Sequence, residues 1–141
     1  MARHPKNGGD AGMTDVHEIR TLLNARIDAL RRRDATSANE ILDPHVVAFE
    51  VAGPLQVPPA QATDVALTQK WLDSFADGPN VTMEELVIHS DGAVAFCHSL
   101  NRLQGRRSDG QEIDVTMRST LGLRKKDGQW KIIHGHTSFP R

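Results

Sequence analysis

The chain has 141 residues, with 17 Lys+Arg against 18 Asp+Glu for a formal net charge of -1. That length suits one domain with its own core, and the even charge offers no global field for nucleic acid or an acidic membrane surface. A single cysteine, Cys97, excludes an intrachain disulfide, and no apolar run approaches the roughly 20 residues that span a bilayer. With no signal-peptide pattern at the start, the expected location is cytoplasmic.

Residues 1–13 hold three glycines and no apolar period, so they read as a disordered leader, with Met13 as an alternative start. Val16, Ile19, Leu22, Leu23, Ile27 and Leu30 then form the one-sided stripe of an amphipathic helix. Thr14 or Asp15 is its expected cap, and Asp15 with Glu18 resembles a capping box. Arg31, Arg32 and Arg33 fall where cations complement the helix dipole; an anion site is the other reading. Asp34 is the expected cap of a short second helix reaching Leu42, which Asp43-Pro44 stops.

A first strand is expected at Val46–Val51, followed by an irregular return between Gly53-Pro54 and Pro58-Pro59. Val65, Leu67, Trp71, Leu72 and Phe75 mark a third helix capped by Thr63 and ended by Asp77-Gly78-Pro79. Four strands come next, over 81–90, 93–104, 111–125 and 129–139, with evenly spaced Asp-Gly turns at Gly92, Gly110 and Gly128. Helices first and antiparallel strands last define an α+β domain.

That order, with Asp127-Gly128-Gln129-Trp130 and His134-Gly135-His136-Thr137-Ser138, resembles the SnoaL-like and ketosteroid-isomerase-like branch of the nuclear transport factor 2 superfamily. The resemblance covers Thr14 to Pro140, so the expected domain is 14–141. His98-Ser99-Leu100-Asn101-Arg102-Leu103 is similar to stand-alone bacterial members of unassigned activity. Those members end in His-Glu-His, where this chain has Gly135 in the middle. The C-terminal half also resembles the association domain of calmodulin-dependent protein kinase, an oligomerisation hub. The resemblance implies a cone, with a curved sheet wrapped on three helices, a pocket at the wide end, and a homodimer through the outer sheet face.

Alternation assigns faces. On the fourth strand Ile113, Val115, Met117, Leu121 and Leu123 point inward, leaving Asp114, Thr116, Arg118, Thr120 and Arg124 outside. On the third, Val94, Phe96, His98 and Leu100 are taken as the inner set, with Cys97 outside as an inert thiol. On the last, Trp130, Ile132, His134, His136 and Ser138 share one face, and Lys131, Ile133, Gly135, Thr137 and Phe139 the other.

Glu50 is the expected general base, because Glu50-Val51-Ala52-Gly53 resembles the corner where ketosteroid isomerases carry their proton-shuttling aspartate; His98 is its expected partner. A structural or ligand-orienting carboxylate is the alternative. Trp71, Leu67, Leu121 and Thr137 complete the expected pocket. Asn101, Arg118, His134 and His136 are assigned to the outer sheet face or to an alternative anion site. The chain lacks tyrosine, so steroid isomerisation is disfavoured. His134 and His136 share a face but lack an obvious third ligand, so no metal is expected, nor any cofactor. The function expected is binding of a small apolar carbonyl compound, with cofactor-independent isomerase, lyase or cyclase chemistry by proton transfer. A non-catalytic ligand-binding or oligomerisation module is the alternative.

Overall fold

A computed structural model describes the backbone of residues 3–140 and the side chains of residues 12–140. Four helices, α1 (Arg3–Arg31), α2 (Ala35–Asn39), α3 (Pro59–Ala62) and α4 (Val65–Asp73), precede or interleave with five strands. The strands are β1 (Leu42–Phe49), β2 (Phe75–Asp91), β3 (Val94–Arg107), β4 (Glu112–Lys126) and β5 (Gln129–Ser138). They form one sheet in the order β1-β5-β4-β3-β2. Only the β1–β5 pair is parallel. The α+β class and the curved, mostly antiparallel sheet are as expected, with α3 as a fourth helix formed in the return after β1.

The amphipathic stripe of α1 supplies Ile19 and Leu23 to a core with Val46, Cys97, Leu123, Trp130 and Ile132. Further along, Ile27 and Leu30 join Ala35, Ala38, Leu72 and Val81 in a second core. The helix takes in most of the stretch expected as a leader, whose side chains before Gly12 lie outside the described residues. Asp15 therefore stands within the helix and caps nothing there. Its carboxylate instead accepts from Lys125 Nζ at 3.1 Å and from Trp130 Nε1 at 3.4 Å, tying α1 to the last hairpin.

At its other end α1 closes through Arg33 in the left-handed region (φ 61), with Arg33 N–H donating to Leu30 O and Asp34 N–H to Ala29 O. The arginine run is spent on the sheet: Arg31 Nε donates to Val81 O, and Arg33 donates to Gly78 O and Phe75 O. Asp34 caps α2 as expected. Asp64, one residue past the expected Thr63, caps α4. Phe75 is not helical but opens β2, where its ring meets Trp71 edge-on at 5.3 Å and lies under the Arg107 guanidinium at 4.8 Å.

The tight turns agree with their residues. Asp127 and Gly128 both take positive φ in the two-residue β4–β5 hairpin, and Gly92 alone does so in the β2–β3 hairpin. Several register shifts interrupt the sheet, among them one in β2 beside Glu85 (φ 53) and one in β5 at Ile133.

Candidate functional site

Paired residues of neighbouring strands share a face, so the registers decide which side chains meet the helices. β4 has the expected parity: Ser119 and Leu123 are buried, while Arg118 and Thr120 are exposed. β3 has the reverse of the expected parity. Cys97 pairs with Leu121 and Ser99 with Ser119, so Ala95, Cys97, Ser99 and Asn101 line the interior. Val94, Phe96, His98 and Leu100 point the other way, and Val94 and Phe96 are 53% and 50% exposed. Large apolar residues were expected inside. The interior instead takes small and polar ones, Ala95 and Cys97 in the first core and Ser99 and Asn101 on the wall of an open cavity.

In β5 the bulge breaks the alternation. Leu123 pairs with Ile132, but Gly122 pairs with His134, leaving Ile133 as the extra residue. Trp130 and Ile132 thus share the inner face with Gly135 and Thr137, while His134, His136 and Ser138 turn outward.

These parities build a cavity of about 180 Å³ between α1, β1, the α3 return and the inner sheet face. Leu23, Ile27, Val46, Val57, Leu121 and Ile132 supply its apolar wall. Its floor is polar. Ser99, Ser119 and Thr137 stand in direct register across β3, β4 and β5, and Ser99 Oγ lies 2.8 Å from Asn101 Oδ1. Ser99 and Ser119 are only 8% and 7% exposed.

Two charged residues reach the same space, Arg26 from α1 and Glu50 from the end of β1. Arg26 sits midway between Leu22 and Leu30, four residues from each, so helical spacing puts it on the buried side of α1. Its Nε donates to Ala38 O at 3.2 Å, which pins α1 to α2. Burial pulls the guanidinium's pKa down, and Glu50 opposes that shift. Glu50 lines both the cavity and a shallow surface groove running from Phe49 to Leu55, so it stands at the mouth. Glu50 keeps an edge exposed to solvent, and the burial of the rest pushes its carboxyl above the ordinary carboxylate range, against the pull of Arg26 and His136. No ion pair joins Arg26 to Glu50 among the described residues.

Glu50, Leu121 and Thr137 are therefore brought together in the cavity, and Trp71, Leu67 and His98 are not. Leu67 is exposed, Trp71 packs against the second core, and His98 lies on the far side of the sheet. Asn101 moves the other way, from the expected outer face to the cavity floor. Cys97 is interior, and burial pushes its thiol up to about 11, which leaves it protonated and unreactive. Arg118 is exposed, with Nη2 donating to Phe139 O at 2.9 Å.

On the outer face Val87, His98, Thr120, His136 and Phe49 form one row across all five strands. Phe49 meets His134 and His136 edge-on, and His89 stacks on Phe96. Among the described residues no group of three or more His, Cys, Asp or Glu is placed to hold a metal ion.

The profile of the SnoaL-like domain matches residues 19–141, most of the chain and all of the sheet. The chain belongs to the SnoaL-like family. A SnoaL-like reading agrees with solved structures. An NTF2-like protein of unknown function from Pseudomonas putida KT2440 is 28% identical, with 91% of this chain and 88% of that one covered and a TM-score of 0.78. An NTF2-like superfamily protein from Salmonella enterica is 20% identical, covering 89% and 90%, with a TM-score of 0.75. The association domain of C. elegans CaMKII is 16% identical, covering 92% and 99%, with a TM-score of 0.68, and shares the fold. No curated protein matches the chain in sequence. No helix of the described residues is long and apolar enough to cross a membrane.

Proposed function

We propose that this SnoaL-like chain binds a small molecule in the cavity and moves a proton on it through Glu50, without a cofactor. The observation that carries this reading is Glu50 itself, a carboxyl of raised proton affinity at the mouth of a cavity floored by hydroxyl and amide groups. A carboxylate tuned upward is a stronger base, and it takes a proton from carbon beside a carbonyl more readily. The electrons left behind pass to the carbonyl oxygen, where Ser119, Thr137 or Arg26 would hold the enolate. Return of the proton at another carbon gives isomerisation, and loss of a leaving group gives elimination.

Size narrows the choice. An engineered apolar cavity of about 150 Å³ takes one benzene, so 180 Å³ suits a single ring or a short chain and not a four-ring steroid. Proton exchange into acetophenone or cyclohexanone in D₂O, monitored by NMR, tests the reading. The protein should speed loss of the α-proton signal, and Glu50→Gln should remove roughly 100- to 10,000-fold of that acceleration. A bound probe whose α-protons exchange no faster than in buffer would leave a binding module without catalysis.

The outer face supports a second element of the reading, a homodimer. Val87, Val94 and Phe96 expose apolar surface on one side of the sheet, among His89 and His98. Two copies meeting there would bury that patch, and the fold is shared with a domain named for association.

A further inference from the structure

Arginines in this protein are mostly spent. Arg33 gives Nε and Nη2 to the carbonyls of Gly78 and Phe75, and Arg102 gives both to the Asp114 carboxylate. Arg107 gives Nη1 to Ser74 Oγ, and Arg118 gives Nη2 to Phe139 O. Arg26 is different. It uses Nε alone, on Ala38 O, and its two terminal nitrogens have no hydrogen-bond partner among the described residues although the side chain lines the cavity.

A cation drawn out of bulk water is costly unless an anion or acceptors face it. Glu50 senses its charge without closing an ion pair. The remaining acceptors nearby are neutral, the Ser99, Ser119, Thr137 and Asn101 side chains of the floor. Hydroxyls and a side-chain amide can donate as well as accept, so floor and guanidinium together present several donors to one small space.

We infer that the cavity selects a molecule bearing a carboxylate, held by the terminal nitrogens of Arg26 and the hydroxyls of Ser119 and Thr137, with a body of about one ring against Leu23, Ile27, Leu121 and Ile132. This rests on the reading of the cavity as a binding site. A planar carboxylate matches the two parallel N–H groups of a guanidinium edge. A single cation facing a nearby carboxyl suits one negative charge better than the two of a phosphate monoester. The apolar wall then selects the hydrocarbon body attached to the acid group.

Calorimetry on the full chain with benzoate and hexanoate, against benzamide and hexanamide, tests the inference. The acids should bind roughly tenfold or more tightly than their amides, the usual gain of a charge-assisted contact. Arg26→Gln should abolish that preference while the amides bind as before, which also reports that the cavity is intact. Glu50→Gln should tighten the acids by removing a like charge. Amides binding as well as acids, or an acid preference that survives Arg26→Gln, would overturn carboxylate selectivity and leave the cavity reading standing. Failure of all four probes would overturn both.

Discussion

Glu50 carries two consequences of one cause. Burial raises its proton affinity, with Arg26 and His136 pulling the other way, so the folded chain holds that proton to higher pH than the unfolded chain does. Between the ordinary carboxylate range and the raised value, the folded state binds more protons, and stability falls as pH rises through that window. Glu50→Gln should flatten this fall, read from urea midpoints across the mildly acidic range. The proton-transfer rate should run in the opposite direction, rising with pH through the same window, because only the ionised carboxylate is a base. Asp43 shows the reverse sign. The Lys126 side chain and then the His45 N–H hold its carboxyl below the usual carboxylate range, so its contribution is lost as pH falls through that lowered value. Asp43→Ala should cost about 1–3 kcal/mol by leaving the His45 amide unpaired, and Lys126→Ala less because Lys126 is half exposed. At this scale the sequence was partly legible. Glu50 stood out through the Glu50-Val51-Ala52-Gly53 corner and Leu121 through alternation, whereas Thr137 reaches the cavity because the Ile133 bulge reverses the parity of β5. Arg26 was missed because a long cationic side chain beside an apolar stripe reads as a solvated flank, although its four-residue spacing to Leu22 and Leu30 marked the buried side.

The elements were legible in kind and order, and less so in parity. Every expected strand exists, and the Asp-Gly turns lie where positive φ is needed. β3 misled because its larger apolar residues, Val94, Phe96 and Leu100, lie outside, while Ala95, Cys97 and Ser99 lie within. Alternation fixes which residues travel together, and only packing decides which set goes inward. The beginning of β2 was hidden for a different reason. Phe75, at helical spacing from Trp71 and Leu72, continues the apolar period of α4 although its backbone has already become strand. That crossing depends on a close approach. A Cβ added at Gly105 would stand 2.8 Å from Asp77 O and 2.9 Å from Phe75 Cδ2. Gly105→Ala should therefore destabilise by roughly 1–3 kcal/mol, measured by chemical denaturation, because backbone cannot retreat as a flexible side chain can. An unchanged midpoint would mean that β2 can shift away from β3 at no cost.

At the scale of the molecule, the sheet separates two chemistries. Its inner face holds the cavity, and its outer face carries His89, His98, His134 and His136 with Phe49 and Phe96. Phe96→Asp and Arg118→Glu each place a new negative charge on that outer face. For the homodimer proposed above, light scattering should show the mass shift toward monomer, while probe binding in the cavity persists. A mass that stays dimeric would move the association surface elsewhere. The Ile133 bulge ties the two faces together, and it makes β5 unequal in its tolerance of lost residues. Beyond the bulge each side chain already lies opposite the partner it would have in an unbroken ladder, since Leu123 faces Ile132 and Gly122 faces His134. Deleting Ile133 would straighten the strand and leave Gly135 and Thr137 over the cavity. Deleting Gly135 would also remove the bulge and keep Thr137 opposite Ser119, but His134 would then pair with Leu121 on the inner face and put an imidazole where the glycine stands. In this strand one codon is spare, and losing the wrong one fills the pocket.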